Sequence, residues 1–273
     1  MPELPEVETI AQSLIRGQGG SGGLLGRRVA RSRVAWARTV AAPSAAGFQR
    51  RIAGQQVLTV GRRGKFIHIE LDDYSLLIHL RMSGDLLLGM DHRPLGTHSR
   101  LQLYFDNGLQ LSFQDPRKFG RAWLLADPAA VLGRLGPEPL ERALTPARFH
   151  KMMAARNRHL KPLLLDQGFL AGLGNIYVDE ALWAARLHPL AAASAVTKPQ
   201  AGELLRSIRK VLREGIRRNG ASIDWVYRGG DFQNHFKVYQ QTGEPCPRCG
   251  TPITRRTVGQ RSTHFCPRCQ RAR

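Results

Sequence analysis

The 273-residue sequence predicts a multidomain α+β protein: an N-terminal antiparallel β-sandwich with flanking helices, then a helical domain, then a C-terminal zinc-ribbon β-hairpin. Three observations predict it. Apolar residues alternate with period two between Ile67 and Phe113, they recur with helical spacing beyond Gly136, and all four cysteines fall between Cys246 and Cys269.

The first element is a helix, with Val7, Ile10, Ala11, Leu14 and Ile15 on one face. Pro5 and the acids Glu3, Glu6 and Glu8 suit its start, where no amide donor is needed and the dipole favours negative charge. The run Gln18–Gly23 ends it. Between Arg27 and Lys65 stand ten basic residues and no acid, half of the net charge of +20. Such a balance points to a polyanionic partner, nucleic acid first. Alternation then marks strands at Ile67–Leu71, Leu76–Met82, Leu101–Phe105 and Leu111–Phe113, with Asp106-Asn107-Gly108 as a hairpin whose two central residues take positive φ.

The stretch Gly136-Pro-Glu-Pro139 breaks this pattern, and it divides the chain into domains 1–135, 136–228 and 229–273. Thr145-Pro146 reads as an N-cap followed by proline, with Phe149, Met152 and Met153 inside. A second helix is expected from about Ile176 to Leu187. A third buries Leu204, Leu205, Ile208, Val211 and Leu212 and turns Arg206, Arg209, Lys210, Arg213 and Arg217 to solvent or phosphate. The 42% hydrophobic content excludes a wholly disordered chain, and no apolar run is long enough to span a membrane. Acids at Glu3 and Glu6, where a secretory signal carries Lys or Arg, predict a cytosolic location.

Cys246, Cys249, Cys266 and Cys269 form C-x2-C-x16-C-x2-C, the spacing of one closed four-thiolate Zn2+ site that folds the tail without doing chemistry. Residues 246–273 also carry seven arginines and no acid, as a finger against DNA would. At the other end, removal of Met1 would make Pro2 a secondary α-amine. Such an amine titrates near 8 against about 10.4 for lysine, so it is far more often the unprotonated nucleophile at neutral pH. Its attack on a sugar carbon gives a Schiff base, with the neighbouring Glu3 able to move protons.

Met1-Pro-Glu-Leu-Pro-Glu-Val-Glu-Thr9 resembles the opening of formamidopyrimidine-DNA glycosylases, repair enzymes for oxidised purines. The resemblance continues in order through Arg63-Gly-Lys65, His79-Leu-Arg-Met-Ser-Gly84, Asp115-Pro-Arg-Lys-Phe-Gly120, Gly172-Leu-Gly-Asn-Ile-Tyr-Val-Asp-Glu180 and Gly259-Gln-Arg-Ser-Thr263 into the last cysteine pair. It implies a β-sandwich, a helix-two-turn-helix domain and a zinc hairpin. The implied activity is bifunctional glycosylase and abasic-site lyase, performed by a monomer on double-stranded DNA with oxidised bases, without a redox cofactor or catalytic metal.

Carried over residue by residue, the resemblance makes Pro2 the nucleophile, Glu3 the acid/base, Lys65 a proton donor or phosphate-positioning residue, and Arg261 the hairpin arginine on the phosphates around the lesion. Asn175 falls in the turn that holds backbone phosphate. Met82, Arg117 and Phe119 match the wedge that fills the gap left by an everted base, which the mechanism requires because flipping sacrifices stacking and pairing. His98, Arg156 and Lys161 fall on DNA-backbone positions; Arg100 receives no role. Ile223–Gln233 takes the place of the loop over the flipped base, but it is shorter and lacks the family's Tyr-Val-Asn pattern. Glycosylases for oxidised pyrimidines share the proline, the two-turn motif and the zinc hairpin. Leu4 and the Arg117/Phe119 pair favour the purine branch. A catalytically silent damage-binding zinc-finger protein is the alternative from another class, and retained Met1 would produce it.

Overall fold

The computed structural model describes residues 1–90, 96–222 and 229–271. The chain divides into two compact units, Met1–Arg134 with Ser222–Gly230, and Leu135–Ala221 with Asp231–Arg273.

In the first unit the order is α1 (Leu4–Arg16), β1 (Val29–Val34), β2 (Val40–Ala42), α2 (Ala45–Ile52), β3 (Val57–Arg63), β4 (Phe66–Leu71), β5 (Ser75–His79), β6 (Asp85–Met90), β7 (Ser99–Phe105), β8 (Leu109–Gln114), β9 (Arg121–Leu125) and α3 (Ala129–Leu132). A four-stranded sheet, β1-β7-β8-β6, faces a five-stranded one, β2-β9-β5-β4-β3. Ile67, Ile69, Leu76 and Ile78 from one sheet and Leu86, Leu103, Leu111 and Phe113 from the other share one core with Val7, Ile10 and Leu14 of α1. Each such side chain contributes about 1.5–3 kcal/mol on burial. Gly17, at φ +95°, stops α1 where a Cβ would lie 1.8 Å from the Ser21 carbonyl oxygen.

Three local expectations change. β2 pairs with β9 in parallel, so the sandwich is not wholly antiparallel. The β7–β8 connection has three residues, Asp106 to Gly108, with Gly108 alone at positive φ and its N–H donating to the Phe105 carbonyl. That is the geometry of a type I turn closed by one left-handed residue, and Asn107 keeps an ordinary φ. The strand expected to reach Met82 ends at His79, because Arg81 takes φ +56° and turns the chain outward.

The second unit holds α4 (Pro146–Ala154), α5 (Leu160–Leu165), α6 (Asn175–Ala184), α7 (Lys198–Arg217) and the hairpin β10 (Thr254–Val258) and β11 (Arg261–Phe265). Thr145 caps α4 by accepting from the Arg148 N–H, as its sequence suggests. α6 stops three residues before Leu187, since Arg186 is left-handed at φ +57°. The basic stripe of α7 splits in use. Arg209 donates to the carbonyls of Pro139, Glu141 and Leu144, and Arg206 and Arg217 pair with Glu203 and Glu214 on their own helix. Gly259 and Gln260, both at positive φ, form the two-residue turn between β10 and β11. No helix among the described residues is long and apolar enough to cross a membrane.

Candidate active site and metal centre

In the first unit, Pro2 and Glu3 are buried at the start of α1, and Glu3 forms a capping box with Glu6, whose carboxylate accepts from the Glu3 N–H at 2.7 Å. α1 lies against β3 and β4, the strands that flank the Gly64-Lys65 turn, and Arg62 of β3 donates to Glu8 of α1 at 2.8 Å. Lys65 is only 5% exposed at that turn. A lysine held in this way gives up side-chain freedom that a surface lysine keeps.

His79 stands opposite Phe66 in the β4–β5 register, and its Nδ1 accepts from the N–H of Arg81 at 3.0 Å. Burial, with Arg81 and Lys65 nearby, holds its pKa down to about 3. A neutral imidazole therefore pins the outward turn that presents Met82. The unfolded chain takes up this proton near pH 6.5 while the folded one refuses it until about pH 3, so the contribution to stability is complete above pH 6.5 and drains as pH falls. We expect about 2 kcal/mol less stability at pH 5 than at pH 7 from this group, and His79→Gln to remove that slope in urea titrations across the range.

Met82 and Phe119 are 37% and 48% exposed, large apolar side chains in solvent, and the Arg117 guanidinium lies 4.9 Å from the Phe119 ring centroid. His98 is exposed at the entry to β7, its N–H donating to Gln114. Arg100 is structural, since its Nε donates to the Asp115 carbonyl at 2.8 Å.

In the second unit the four cysteine Sγ atoms lie within 4.8 Å of one another, with Cys246 to Cys269 at 4.0 Å and Cys249 to Cys266 at 3.5 Å. A tetrahedron with Zn–S bonds of about 2.3 Å has edges of about 3.8 Å, so the sulfurs stand where one Zn2+ needs them. Trp183 Nε1 donates to Cys246 Sγ at 3.4 Å, and Val238, Cys246, Ile253 and Cys266 form a small core around the site. The four cysteines are the donor set of one structural zinc ion.

Residues 1–122 match the family model described as Formamidopyrimidine-DNA glycosylase N-terminal domain, 135–226 the Formamidopyrimidine-DNA glycosylase H2TH domain, and 243–272 the Zinc finger found in FPG and IleRS. The formamidopyrimidine-DNA glycosylase of Protochlamydia amoebophila is 43% identical over 280 residues, covering 99% of this chain and 100% of that one. The chain belongs to the formamidopyrimidine-DNA glycosylase family. The family's Lactococcus lactis Fpg (MutM), solved with DNA containing N7-benzyl-Fapy-dG, superposes with a TM-score of 0.90 at 35% identity over 99% of this chain and 100% of that one. A MutM complex with DNA containing carbocyclic 8-oxo-G superposes at 0.89, also at 35% identity and with the same coverage.

Against that family pattern, one expected DNA contact is corrected. Lys161 is fully buried: its Nζ donates to Asp179 at 2.6 Å and to the Ser262 carbonyl at 2.7 Å, so the ammonium is used inside the protein. Asn175 also turns its amide inward, to the Ser262 carbonyl at 2.9 Å, beside the exposed Arg261. Arg156 is exposed after α4. The loop expected at 223–233 lies largely outside the described residues.

Sequence reasoning missed the two acids that organise this region. Asp179 also accepts from the His264 N–H at 2.9 Å, and Glu180 accepts from the amides of Lys237, Val238 and Tyr239. Burial pushes the Glu180 carboxyl up, although the three amides pull the other way. Two acids in the middle of an apolar helix were the available signal, because unpartnered they would not be tolerated there. Lys161→Met, which leaves Asp179 without its cation, should cost about 3–5 kcal/mol in urea unfolding, and the added change Asp179→Asn should recover most of it. Weaker DNA binding with unchanged stability would restore the phosphate role.

Proposed function

We propose that the chain excises oxidised purines, 8-oxoguanine and formamidopyrimidines, from duplex DNA and then cleaves the strand at the resulting abasic site. Family membership over the whole chain carries this reading, supported by relatives solved with DNA containing N7-benzyl-Fapy-dG and carbocyclic 8-oxo-G. Pro2, as the N-terminal amine, attacks C1′ of the everted nucleotide. The glycosidic bond breaks, the base leaves with the bonding pair, and Glu3 moves protons as the sugar ring opens to an iminium. Loss of the C2′ proton expels the 3′ phosphate, a second proton loss expels the 5′ phosphate, and water releases the sugar remnant from proline. Lys65 donates a proton or positions phosphate. Arg261, Arg156 and His98 contact the backbone, Asn175 steadies the hairpin strand that carries Arg261 through the Ser262 carbonyl, and Met82, Arg117 and Phe119 fill the vacated stack. Zinc has a structural role alone. Such an enzyme works in the bacterial cytosol, on nucleoid DNA.

Borohydride trapping tests the reading, with duplexes carrying 8-oxoguanine opposite cytosine, an oxidised pyrimidine, or a bare abasic site, followed by peptide mapping. The expected result is an adduct on Pro2 with the oxidised purine. Trapping confined to the pyrimidine or abasic duplex would overturn the purine preference, and no trapping by zinc-loaded, Met1-processed protein would overturn the enzyme.

A further inference from the structure

The two loops that carry Met82 and Phe119 are remote in sequence, yet one buried side chain joins them. Ser83 Oγ donates to Asp115 Oδ1 at 2.5 Å, and the Gly120 N–H donates to Asp115 Oδ2 at 2.6 Å. Asp115 is 1% exposed and Ser83 5%. The immediate neighbours of these bonds, Met82 and Phe119, stand out into solvent. The Asp115 backbone extends the junction: its N–H donates to the His98 carbonyl, and its carbonyl accepts from Arg100 Nε at 2.8 Å.

The packing beneath leaves this junction little freedom. Both loops rest on Phe113, two residues before Asp115. A Cβ at Gly84 would lie 2.8 Å from that ring and 2.4 Å from the Leu80 carbonyl oxygen, and one at Gly120 would lie 2.3 Å from the ring. Glycine is required at both positions for the backbones to come this close. A second tie holds the far side of the loop, where Lys118, at φ +60°, places its ammonium 4.3 Å from the centre of the Trp36 ring.

We propose that Asp115 is a positioning residue that locks the Met82 loop to the Arg117–Phe119 loop, so that both parts of the wedge enter the duplex as one preassembled piece. The inference rests on the reading that this chain everts a nucleotide from duplex DNA. Its physical content is preorganisation: a filler and a stacking ring held in fixed relation lose no freedom when they enter the gap, whereas two independent loops would each have to be ordered at that moment. Eversion from a duplex uses the wedge; a single-stranded substrate offers no stack to fill.

The test compares wild type, Asp115→Ala, Asp115→Asn and Ser83→Ala on an 8-oxoguanine duplex with 2-aminopurine beside the lesion, and on a single-stranded abasic oligonucleotide. Wild type must excise from the duplex and be trapped on the single strand; failure there would sink the functional reading itself, separately from this inference. Asp115→Ala should lose about tenfold in single-turnover excision and most of the 2-aminopurine rise, with trapping on the single strand kept within about twofold. Asp115→Asn can still accept from Gly120 while donating to the Ser83 hydroxyl, so it should restore most of both signals. Ser83→Ala, which cuts only the Met82 arm, should fall between. Unchanged duplex excision and fluorescence in Asp115→Ala would overturn the proposal. So would equal losses on duplex and single strand, or, where the alanine variant does not fold, wild-type behaviour in Ser83→Ala.

Discussion

Replacing Pro2 with glycine is expected to lower single-turnover excision and borohydride-trapped adduct by about a hundredfold, the scale on which a positioned catalytic group acts, while duplex affinity changes by less than about threefold. The asymmetry follows from what the residue contributes. Pro2 is one neutral side chain in a protein of net charge +20, so it adds little to an attraction dominated by phosphate neutralisation. As the chain-terminal secondary amine it would supply the bond to C1′ and the iminium that allows elimination. Glycine keeps a terminal amine but forfeits the ring that fixes its direction, next to a helix start where Pro2 and Glu3 are both buried. The check is a pair of measurements on the same preparation: filter binding at two salt concentrations and trapping at saturating protein. Parallel losses in both would remove Pro2 from the chemistry.

Cys249→Ser should act in the opposite way, lowering binding and chemistry together. Removing one of four ligands surrenders most of a metal-binding free energy that in small zinc modules amounts to about 10–16 kcal/mol, and that energy is also what folds the tail. Zinc content should fall from one per chain toward none. Duplex affinity should drop at least about tenfold as the basic hairpin with Arg261 loses its fixed form. Hydrogen exchange separates this from general unfolding: amides of β10 and β11 should lose protection while those of the sandwich strands β4, β5 and β8 keep theirs. Retention of a protected hairpin in zinc-free protein would show that the buried polar contacts of α6 suffice without the metal.

Much of this molecule was legible in its sequence because the decisive patterns are local. The period-two runs become β4, β5, β7 and β8, the spacing from Val7 to Leu14 becomes the buried face of α1, and four cysteines at metal-ligand spacing come together as four sulfurs. β1 and β3 were not legible: they lie in the arginine-rich stretch 27–65, where exposed faces carry charge and the alternation is broken by bulges at Val29/Arg31 and Val57/Thr59. The site divides along the same line. Met82, Phe119 and Arg156 are exposed, as a contact with duplex requires. Lys161 is not, because a lysine aimed at phosphate and a lysine buried against a carboxylate are the same letter; only its pairing with Asp179, 18 residues away, tells them apart. Asp115 escaped for a related reason: its meaning lies in joining Ser83 to Gly120.

The adjacent acids of α6 also bear on how the chain is made. Asp179 is satisfied by an amide 85 residues further along, and Glu180 by amides 57 to 59 residues further. During synthesis α6 leaves the ribosome after Lys161, which can already pair with Asp179, but before the amides that complete Asp179 and satisfy Glu180. Completing the buried face of α6 therefore also needs chain that follows it. Hydrogen exchange during refolding should show α6 gaining its full protection only together with residues 237–239 and β11, not ahead of them.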